Sequence, residues 1–338
     1  MAKIAFFEIK KWEEKYLKKK LKQHELIFFK EALDENNAEY VKDCEVVSVF
    51  IYSKVSRSVL EKLKKVRMIA TRSTGFDHID LKACKKKEIR VCNVPSYGEN
   101  TVAEHTFALI LALSRQVHKS YHRAMNNDFS IEGLTGFDLR NKTIGVVGGG
   151  HIGMHVVKIA KGFGMRVLVY DLNHDDFMAE MLGFEYAGFE ELLQKSDIIS
   201  LHVPYNKHTH HLINKDSLAN VKNNSILINT ARGAIVDTDA LLEALESKRI
   251  GGAGLDVIEG EDLIKEEKQL LHSDQNVDKW KTVVRDHRIF QMENVVFTPH
   301  NGFNSNEALY RIMDTTISNI SGFFEGNCQA NAVNGGVK

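Results

Sequence analysis

The 338-residue sequence has few of the residues that mark secreted or membrane-spanning proteins. It contains only three prolines and four cysteines, and we expect the cysteines to be reduced thiols because they lack CxxC spacing. No apolar run reaches the roughly 18 residues that a transmembrane helix needs, and the first 15 residues contain too few consecutive apolar residues for a signal peptide. Basic and acidic side chains balance at 45 each, so the charge indicates neither nucleic acid nor a membrane as partner. We expect a cytoplasmic globular protein.

Short, almost continuously apolar segments alternate with charged helical stretches along the chain. Such segments predict strands buried on both faces of a parallel sheet, because a strand with one exposed face alternates apolar and polar residues. The predicted strands form two blocks: 3–8, 25–29, 45–51, 67–71 and 89–93, then 143–147, 166–170, 197–201, 225–229, 251–255 and 295–297. Helices are predicted over 100–125, 154–163 and 304–325. The predicted fold class is α/β, with two doubly wound parallel-sheet domains.

A glycine-rich loop opens the second block. Gly148-x-Gly150-x-x-Gly153 follows a predicted strand and precedes a predicted helix. Its glycines would allow a tight turn, a close approach to a diphosphate, and close packing of helix on strand. Asp171 ends the next strand, 21 residues beyond Gly150, where a carboxylate can bind the ribose hydroxyls of a dinucleotide. That carboxylate would repel the 2′-phosphate of NADP, and the next two residues, Leu172 and Asn173, offer no positive charge to compensate. The pattern therefore favours binding of NAD over NADP.

Motifs in the same order fill much of the remaining chain. The segments that carry them are Thr71–Glu104, Gly145–Asp171, Asp197–Pro204, Asn229–Asp239, Gly252–Glu261 and Thr298–Gly302. Together they resemble the D-isomer-specific 2-hydroxyacid dehydrogenase family along nearly the whole chain, and within it the D-lactate dehydrogenase branch. The resemblance implies an enzyme that uses NAD to interconvert 2-keto acids and 2-hydroxy acids by hydride transfer.

The resemblance also implies a domain organisation. A flavodoxin-like substrate domain would combine the two chain ends, 1–100 and 300–338, and a Rossmann NAD-binding domain would span 101–299. The family is expected to form a homodimer built largely on the NAD-binding domain, whose long helix corresponds to 100–125. The charged segment 262–290 is interpreted as an insertion, mostly of surface helix and loop, that Trp280 would anchor.

Three residues match the family's catalytic set: Arg232, Glu261 and His300. Reduction of a 2-keto acid requires a proton for the developing alkoxide, and histidine can give or take one because its ordinary pKa is about 6.5. Glu261 would bond the other ring nitrogen, and Arg232 would hold the substrate carboxylate through paired hydrogen bonds. Glu259 is an alternative partner for His300; family spacing favours Glu261, although Asp262 stands where many members carry proline.

The same resemblance assigns further residues to substrate and cofactor. Backbone N–H groups of Thr74 and Gly75 would contact the substrate carboxylate, and Tyr97 and Phe303 would line the pocket with Arg232 and His300. Asp256 would accept a hydrogen bond from the nicotinamide carboxamide. The full cofactor set is Gly148, Gly150, His151, Ile152, Gly153, Asp171, Val203, Pro204, Thr209, Thr230, Ala231, Arg232 and Asp256.

Several alternatives stay open at this point. Tyr97 and Phe303 favour pyruvate and D-lactate as substrates, but hydroxypyruvate, glyoxylate or a larger keto acid would fit the same chemistry. An NAD-sensing corepressor that binds peptides is a different kind of function, and the absence of an extended arm before the first strand disfavours it. We expect no metal site: His208, His210 and His211 lie in a polar loop and are interpreted as surface histidines.

Overall fold

The structure, a computed structural model, describes residues 1–261, 277–327 and 331–334. Its backbone contacts divide the chain into two compact units, Met1–Tyr97 with Ser305–Lys338 and Gly98–Asn304. The first unit is thus assembled from both ends of the chain, whereas the second is continuous. Arg232, Glu261 and His300, the three candidate catalytic residues, all fall within the second unit.

Every strand predicted from the sequence is present, with the same ends or ends shortened by one or two residues. In chain order, the strands are β1 (Lys3–Phe6), β2 (Glu25–Phe28), β3 (Val46–Val49), β4 (Met68–Thr71), β5 (Arg90–Cys92), β6 (Thr143–Val147), β7 (Arg166–Tyr170), β8 (Glu185–Tyr186), β9 (Ile198–Leu201), β10 (Ile226–Asn229), β11 (Gly252–Leu255) and β12 (Val295–Phe297). The two-residue strand β8 is the addition that the sequence did not predict.

Helices connect these strands. In chain order they are α1 (Lys11–Lys20), α2 (Arg57–Lys62), α3 (Leu81–Lys86), α4 (Glu99–Ser114), α5 (Val117–Met125), α6 (His151–Gly162), α7 (Asp176–Leu182), α8 (Phe189–Lys195), α9 (Lys215–Asn220), α10 (Thr238–Glu246), α11 (Val277–Phe290) and α12 (Asn306–Phe324). Short 3-10 turns cover Ala38–Val41 and Gly233–Ile235. Among the described residues, no helix combines the length and apolar character needed to cross a membrane.

The first unit contains a five-stranded parallel sheet in the order β2-β1-β3-β4-β5, the order of a flavodoxin-like fold. Both of its faces are covered. On one face Ala5 packs with side chains of α2 and α3, and on the other Ile4 packs with side chains of α1 and α12. Because successive strand residues face opposite sides, strands covered on both sides must be apolar at nearly every position. This explains the continuous apolar segments and confirms the predicted fold class.

The second unit contains a seven-stranded sheet in the order β12-β11-β10-β9-β6-β7-β8, also parallel throughout. Apolar clusters again cover both faces, one formed with α8, α9 and α10 and the other with α4 and α6. The connection changes direction between the neighbouring strands β6 and β9. In doubly wound folds ligands bind at such a point, beyond the carboxyl ends of the strands.

The prediction of one helix over 100–125 is wrong. The chain forms α4 and α5, separated at Gln116, whose φ of 53° is left-handed and cannot continue a right-handed helix. A later loop passes so close that the Phe137 N–H donates to the carbonyl of Ser114 at 2.8 Å. A Cβ on Gly136 would lie 1.9 Å from that same oxygen. Helix α4 therefore ends where a residue distant in sequence donates a hydrogen bond to the Ser114 carbonyl.

The predicted insertion is described only in its second part. Residues 262–276 lie outside the described residues, and 277–290 form α11. This helix packs against β12 and α10, and its Ile289 is completely buried in the core. Trp280 is half-buried on the same helix. The end of the insertion is thus part of the second unit's core rather than surface helix alone.

Candidate active site

The candidate catalytic residues follow neighbouring strands of the larger sheet. Asn229 of β10 pairs with Leu255 of β11, which pairs with Phe297 of β12. Arg232 lies three residues after Asn229, and His300 lies three residues after Phe297. Because parallel strands finish on the same side, these residues lie at one end of the sheet, which we call the carboxyl edge. The glycine loop after β6 lies at the same edge.

The His300 ring is paired with a carboxylate. Its Nδ1 atom lies 3.0 Å from Oε1 of Glu261, and both side chains are largely enclosed, at 16% and 24% exposure. Glu259, the alternative partner, instead lies 3.1 Å from Nε2 of His211. The structure therefore brings Glu261 to His300 and leaves the second ring nitrogen, Nε2, for another partner.

The backbone at His300 is unusual, and Asp256 holds it in place. His300 has a left-handed φ of 53°, a conformation uncommon outside glycine. Its N–H donates to the backbone oxygen of Asp256 at 2.8 Å, and the N–H groups of Asn301 and Gly302 donate to the Asp256 carboxylate at 2.7 and 2.8 Å. A Cβ on Gly302 would lie 2.9 Å from that carboxylate. The loop thus folds around one acid, and this fixes the direction of the His300 side chain.

Asp256 itself is only 2% exposed, so its charge needs compensation. Burial acts to raise its pKa, but hydrogen bonds from His105, from Thr298 and from the two loop amides outweigh burial and hold the pKa below its ordinary value. Thr298 Oγ1 donates to the carboxylate at 2.5 Å, and His105 Nε2 lies 3.2 Å from it. The structure therefore places an ionised carboxylate beneath the loop that carries His300.

Arg232 is positioned by a compact turn after β10. The side chain of Asn229 both donates to the Arg232 carbonyl at 2.9 Å and accepts from the N–H of Ala231 at 3.1 Å. The guanidinium is half-buried and donates to the Ala231 carbonyl at 2.7 Å. A Cβ on Gly233 would lie 2.1 Å from the carbonyl carbon of Ile258. The turn that carries Arg232 therefore lies directly against the segment that leads to Glu261.

Two glycines of the nucleotide loop are required by contacts within the protein. Gly148 has a φ of 105°, and a Cβ on it would lie 2.7 Å from the carbonyl carbon of His202. A Cβ on Gly153 would lie 2.0 Å from the carbonyl oxygen of Gly148. Gly153 thus allows α6 to start close to the strand, and α6 begins at His151, three residues earlier than predicted.

Gly150 differs from the other two, because an added Cβ would meet no protein atom within 4 Å. It is the N-cap of α6 and makes no side-chain cap hydrogen bond. The first N–H groups of a helix have no partner inside that helix, and they carry the positive end of its dipole. Open space beside such a helix end suits an anionic diphosphate. The residues present therefore fit a dinucleotide.

Asp171 follows β7 and is tied to the glycine loop. Its Oδ2 accepts from the N–H of Gly149 at 2.7 Å, and its Oδ1 accepts from the N–H of Asn173 at 2.9 Å. Leu172 between them is 87% exposed. The carboxylate is thus fixed beside the nucleotide loop, and no basic side chain stands in the two positions that follow it.

The remaining cofactor candidates also lie at or next to the carboxyl edge. Thr209 closes its own turn, with Oγ1 donating to the Pro204 carbonyl at 2.7 Å. Thr230 Oγ1 lies 3.0 Å from Oγ1 of Thr106 on α4. The others in this group, at strand ends or at the start of α6, are His151, Ile152, Val203, Ala231 and Asp256.

The substrate candidates are divided between the two units. In the first unit, Thr74 and Gly75 follow β4, with Thr74 Oγ1 donating to the Val94 carbonyl at 2.8 Å, and Tyr97 follows β5. In the second unit, the Phe303 ring lies 6.3 Å from the His300 ring in an edge-on arrangement. Each candidate therefore lies after a strand of its own unit, at the end where doubly wound sheets bind ligands.

Some residues that support this site lie far from it in the sequence and were not predicted. His105 on α4 lies 2.9 Å from Thr298, 193 residues away, and no local motif marks that pair. His202, at the end of β9, lies 2.8 Å from Ser200, and burial lowers its pKa to about 3. His202 lies within the recognised segment Asp197–Pro204, so the sequence could have marked it as a neutral, partly buried residue.

Comparison with known proteins gives the family. Residues 107–302 match the model of the D-isomer specific 2-hydroxyacid dehydrogenase, NAD binding domain. The D-lactate dehydrogenase of Escherichia coli (strain K12) is 39% identical over 331 residues, covering 96% of this chain and 97% of that protein.

Solved structures agree over the same length. The D-lactate dehydrogenase of Aquifex aeolicus, complexed with NAD and lactic acid, superimposes with a TM-score of 0.89 at 36% identity, covering 98% of this chain and 99% of the other. These findings confirm NAD as the cofactor and hydride transfer to or from a 2-hydroxyacid as the chemistry. The chain belongs to the D-isomer-specific 2-hydroxyacid dehydrogenase family and is an NAD-dependent D-2-hydroxyacid dehydrogenase.

Proposed function

We propose that this enzyme interconverts pyruvate and D-lactate, with NADH as the reductant in the direction of lactate. The observation that carries the proposal is the His300–Glu261 pair, 3.0 Å apart, at the same sheet edge as the nucleotide loop. Relatives at 39% and 36% identity are named D-lactate dehydrogenase, and one of them is complexed with NAD and lactic acid.

In this proposal His300 is the proton donor. NADH supplies a hydride to the carbonyl carbon of pyruvate, and Nε2 of His300 gives a proton to the carbonyl oxygen, so that pyruvate, NADH and one proton become D-lactate and NAD⁺. Glu261 forms a hydrogen bond with Nδ1, which orients the ring so that Nε2 faces the substrate. In the reverse direction His300 accepts the hydroxyl proton. General acid–base groups of this kind contribute about 10²- to 10⁴-fold in rate.

Arg232 binds the substrate carboxylate in the same proposal. A guanidinium matches a carboxylate with two parallel hydrogen bonds, which fixes the keto carbon in position. The turn against Ile258 supports this role because it limits the movement of the arginine backbone. Backbone N–H groups of Thr74 and Gly75 bind the same carboxylate, and Asp256 keeps the His300 loop in its left-handed conformation.

A larger 2-keto acid is the second candidate substrate. A relative from Clostridium sporogenes that is 35% identical is named aromatic 2-oxoacid reductase, and the structure of D-2-hydroxyisocaproate dehydrogenase superimposes with a TM-score of 0.81 at 30% identity. Tyr97 and Phe303 are proposed to limit the pocket and so favour pyruvate. One side-chain change can reverse a tenfold preference, which corresponds to only about 1.4 kcal/mol.

The test is NADH oxidation with pyruvate, glyoxylate, hydroxypyruvate and phenylpyruvate under identical conditions. We expect the highest kcat/KM with pyruvate and a product that is D-lactate by chiral chromatography. If phenylpyruvate or hydroxypyruvate has a kcat/KM more than about tenfold above that of pyruvate, the lactate assignment is wrong, although the family membership stands.

We also propose that the enzyme is a homodimer. Helix α5 exposes an apolar stripe at helical spacing, with Val117 at 54%, Tyr121 at 67% and Met125 at 66% exposure, and Phe129 and Ile131 after it are 80% and 83% exposed. Exposed apolar groups of this extent usually mark interaction surfaces. Light scattering of the wild type should give a molar mass twice that of one chain. Tyr121→Glu places a charge in the apolar stripe and should give the molar mass of a monomer. A monomeric wild type would contradict the proposal.

A cytoplasmic location completes the proposal. Cys44 and Cys84 are free and buried, and burial raises the pKa of Cys44 to about 11 and that of Cys84 to about 12. Such thiols stay protonated and unreactive at neutral pH, which suits a reducing compartment. Cell fractionation with an activity assay tests the location.

A further inference from the structure

Three potential metal ligands meet outside the catalytic pair. One side-chain ligand atom from each of His210, His211 and Glu259 lies within 4.8 Å of the other two. The histidines lie in the loop after β9, and the glutamate follows β11. The sequence favoured surface histidines because it gave no reason to place an acid beside them. The presence of Glu259 beside the two histidines makes a metal site the better interpretation.

The backbone turns His211 so that two consecutive histidines face the same side. His211 has a left-handed φ of 48°, and its N–H donates to the carbonyl of Ala234 at 3.0 Å. As a result the His210 and His211 rings stack with centroids 3.9 Å apart and planes 21° apart. Left-handed backbone outside glycine costs roughly 1–3 kcal/mol and concentrates at functional sites.

The Glu259 carboxylate lies within hydrogen-bonding distance of the His211 ring. Both carboxylate oxygens lie close to His211 Nε2, at 3.1 and 3.2 Å. Zinc binds imidazole nitrogen and carboxylate oxygen at about 2.0–2.2 Å each in tetrahedral geometry, so two such ligand atoms lie roughly 3.3–3.6 Å apart. The separations of 3.1 and 3.2 Å between His211 and Glu259 need to widen only slightly to admit the ion. Arg285 donates to the backbone oxygen of Glu259 at 3.3 Å, which leaves the carboxylate to His211.

His210 supplies the third ligand and is the exposed member of the group. Its Nδ1 lies 3.3 Å from the hydroxyl of Tyr205, an outer partner of the kind that orients metal-binding histidines. That contact leaves Nε2 for an ion. Because the side chain is exposed, it can rotate by the small distance needed to bring all three atoms to one centre.

We propose that His210, His211 and Glu259 bind one divalent transition-metal ion of the Zn²⁺ type. Two imidazoles and one carboxylate form a donor set that zinc prefers, with water completing the coordination. The ion takes the place between His211 Nε2 and the Glu259 carboxylate, and the neutral His211 ring then carries its proton on Nδ1. The site joins the loop after β9 to the segment after β11, and it does not depend on the catalytic roles proposed above.

The experiment uses untagged, full-length enzyme, because a histidine tag would bind the same ion. Isothermal titration with Zn²⁺ measures affinity and stoichiometry. Thermal unfolding with and without Zn²⁺ gives a second measure, since an ion that binds only the folded state raises Tm. The variants are His210→Ala and Glu259→Gln, with His208→Ala as the matched control in the same loop.

We expect one Zn²⁺ per chain and a rise in Tm. Loss of an outer partner of a metal ligand typically costs about 10- to 100-fold in affinity, so His210→Ala and Glu259→Gln should each weaken binding by at least about tenfold. His208→Ala should bind as the wild type does. The proposal is overturned if the wild type binds no Zn²⁺ at submillimolar concentration, or if His210→Ala binds it unchanged.

Discussion

Replacing Gly150 by alanine separates the fold of the nucleotide loop from its proposed role in binding. Gly150 has φ −70° and ψ −171°, which any L-residue adopts, and an added Cβ meets no protein atom within 4 Å. Alanine gains about 0.4–1 kcal/mol through the unfolded state and loses roughly 0.3–1.5 kcal/mol because it is a poorer helix N-cap than glycine. We therefore expect the free energy of unfolding to change by less than about 1 kcal/mol.

The effect on NADH should be much larger. The new methyl group would stand where the diphosphate approaches the first turn of α6, and an extra methyl in a filled site typically costs about 1–3 kcal/mol. That range corresponds to a Kd for NADH about 5- to 150-fold higher. Fluorescence titration with NADH measures the Kd, and thermal unfolding shows that the variant remains folded.

Gly153→Ala is the matched control. Its Cβ would lie 2.0 Å from the Gly148 oxygen, so we expect it to lower Tm, in contrast to Gly150→Ala. Wild-type affinity for NADH in a folded Gly150→Ala enzyme would refute the reasoning, because the diphosphate would then not approach the loop at this point. Wild-type stability in Gly153→Ala would refute the close packing of α6.

Three further substitutions test separate parts of the site. His300→Gln should lower kcat more than about a hundredfold with an unchanged Kd for NADH, because an amide cannot exchange a proton at neutral pH; steady-state kinetics and fluorescence titration measure both. Asp171→Ala should weaken the binding of NADH and reduce the ratio of NADH affinity to NADPH affinity, as measured by the Kd of each cofactor. Burial lowers the pKa of His202 to about 3, so below pH about 6.5 the unfolded chain binds a proton that the native chain excludes. Stability should fall by up to about 2 kcal/mol between pH 7 and pH 5, and less in His202→Asn, as measured by urea unfolding.

Each of these expectations has a result that contradicts it. A kcat near that of the wild type would remove His300 from the proton-transfer step. An unchanged ratio of the two cofactor affinities would show that Asp171 does not contact the ribose. Equal acid sensitivity in the wild type and in His202→Asn would mean that other groups set the response of stability to pH.

The strands could be predicted from the sequence because their cause is local. Ile4 and Ala5 face opposite sides of one sheet and are both fully buried, so the segment is apolar at every position and bounded by charge. The glycine loop and Asp171 could be predicted for the same reason, since a turn, a helix start and a strand end follow one another within a short stretch. Strand β8 was missed because two residues give no periodicity.

Features that depend on distant contacts could not be predicted in this way. The break between α4 and α5 is set by the loop at Gly136, which meets the Ser114 carbonyl. Glu259 and Glu261 differ in sequence only by two positions, and only the fold shows that one faces His211 and the other His300.

Assembly of the first unit from both chain ends sets an order of events during synthesis. Met313 and Ile320 of α12 are fully buried against the face of the sheet that contains Ile4 and Met68. During translation, this face of the sheet stays without its α12 cover until residues 98–304 have been synthesised. That synthesis takes roughly 10–40 s at about 5–20 residues per second. The continuous nucleotide-binding unit can therefore fold before the first unit is complete. Until then the amino-terminal strands expose apolar surface, and they are the part of the nascent chain that a chaperone would have to protect.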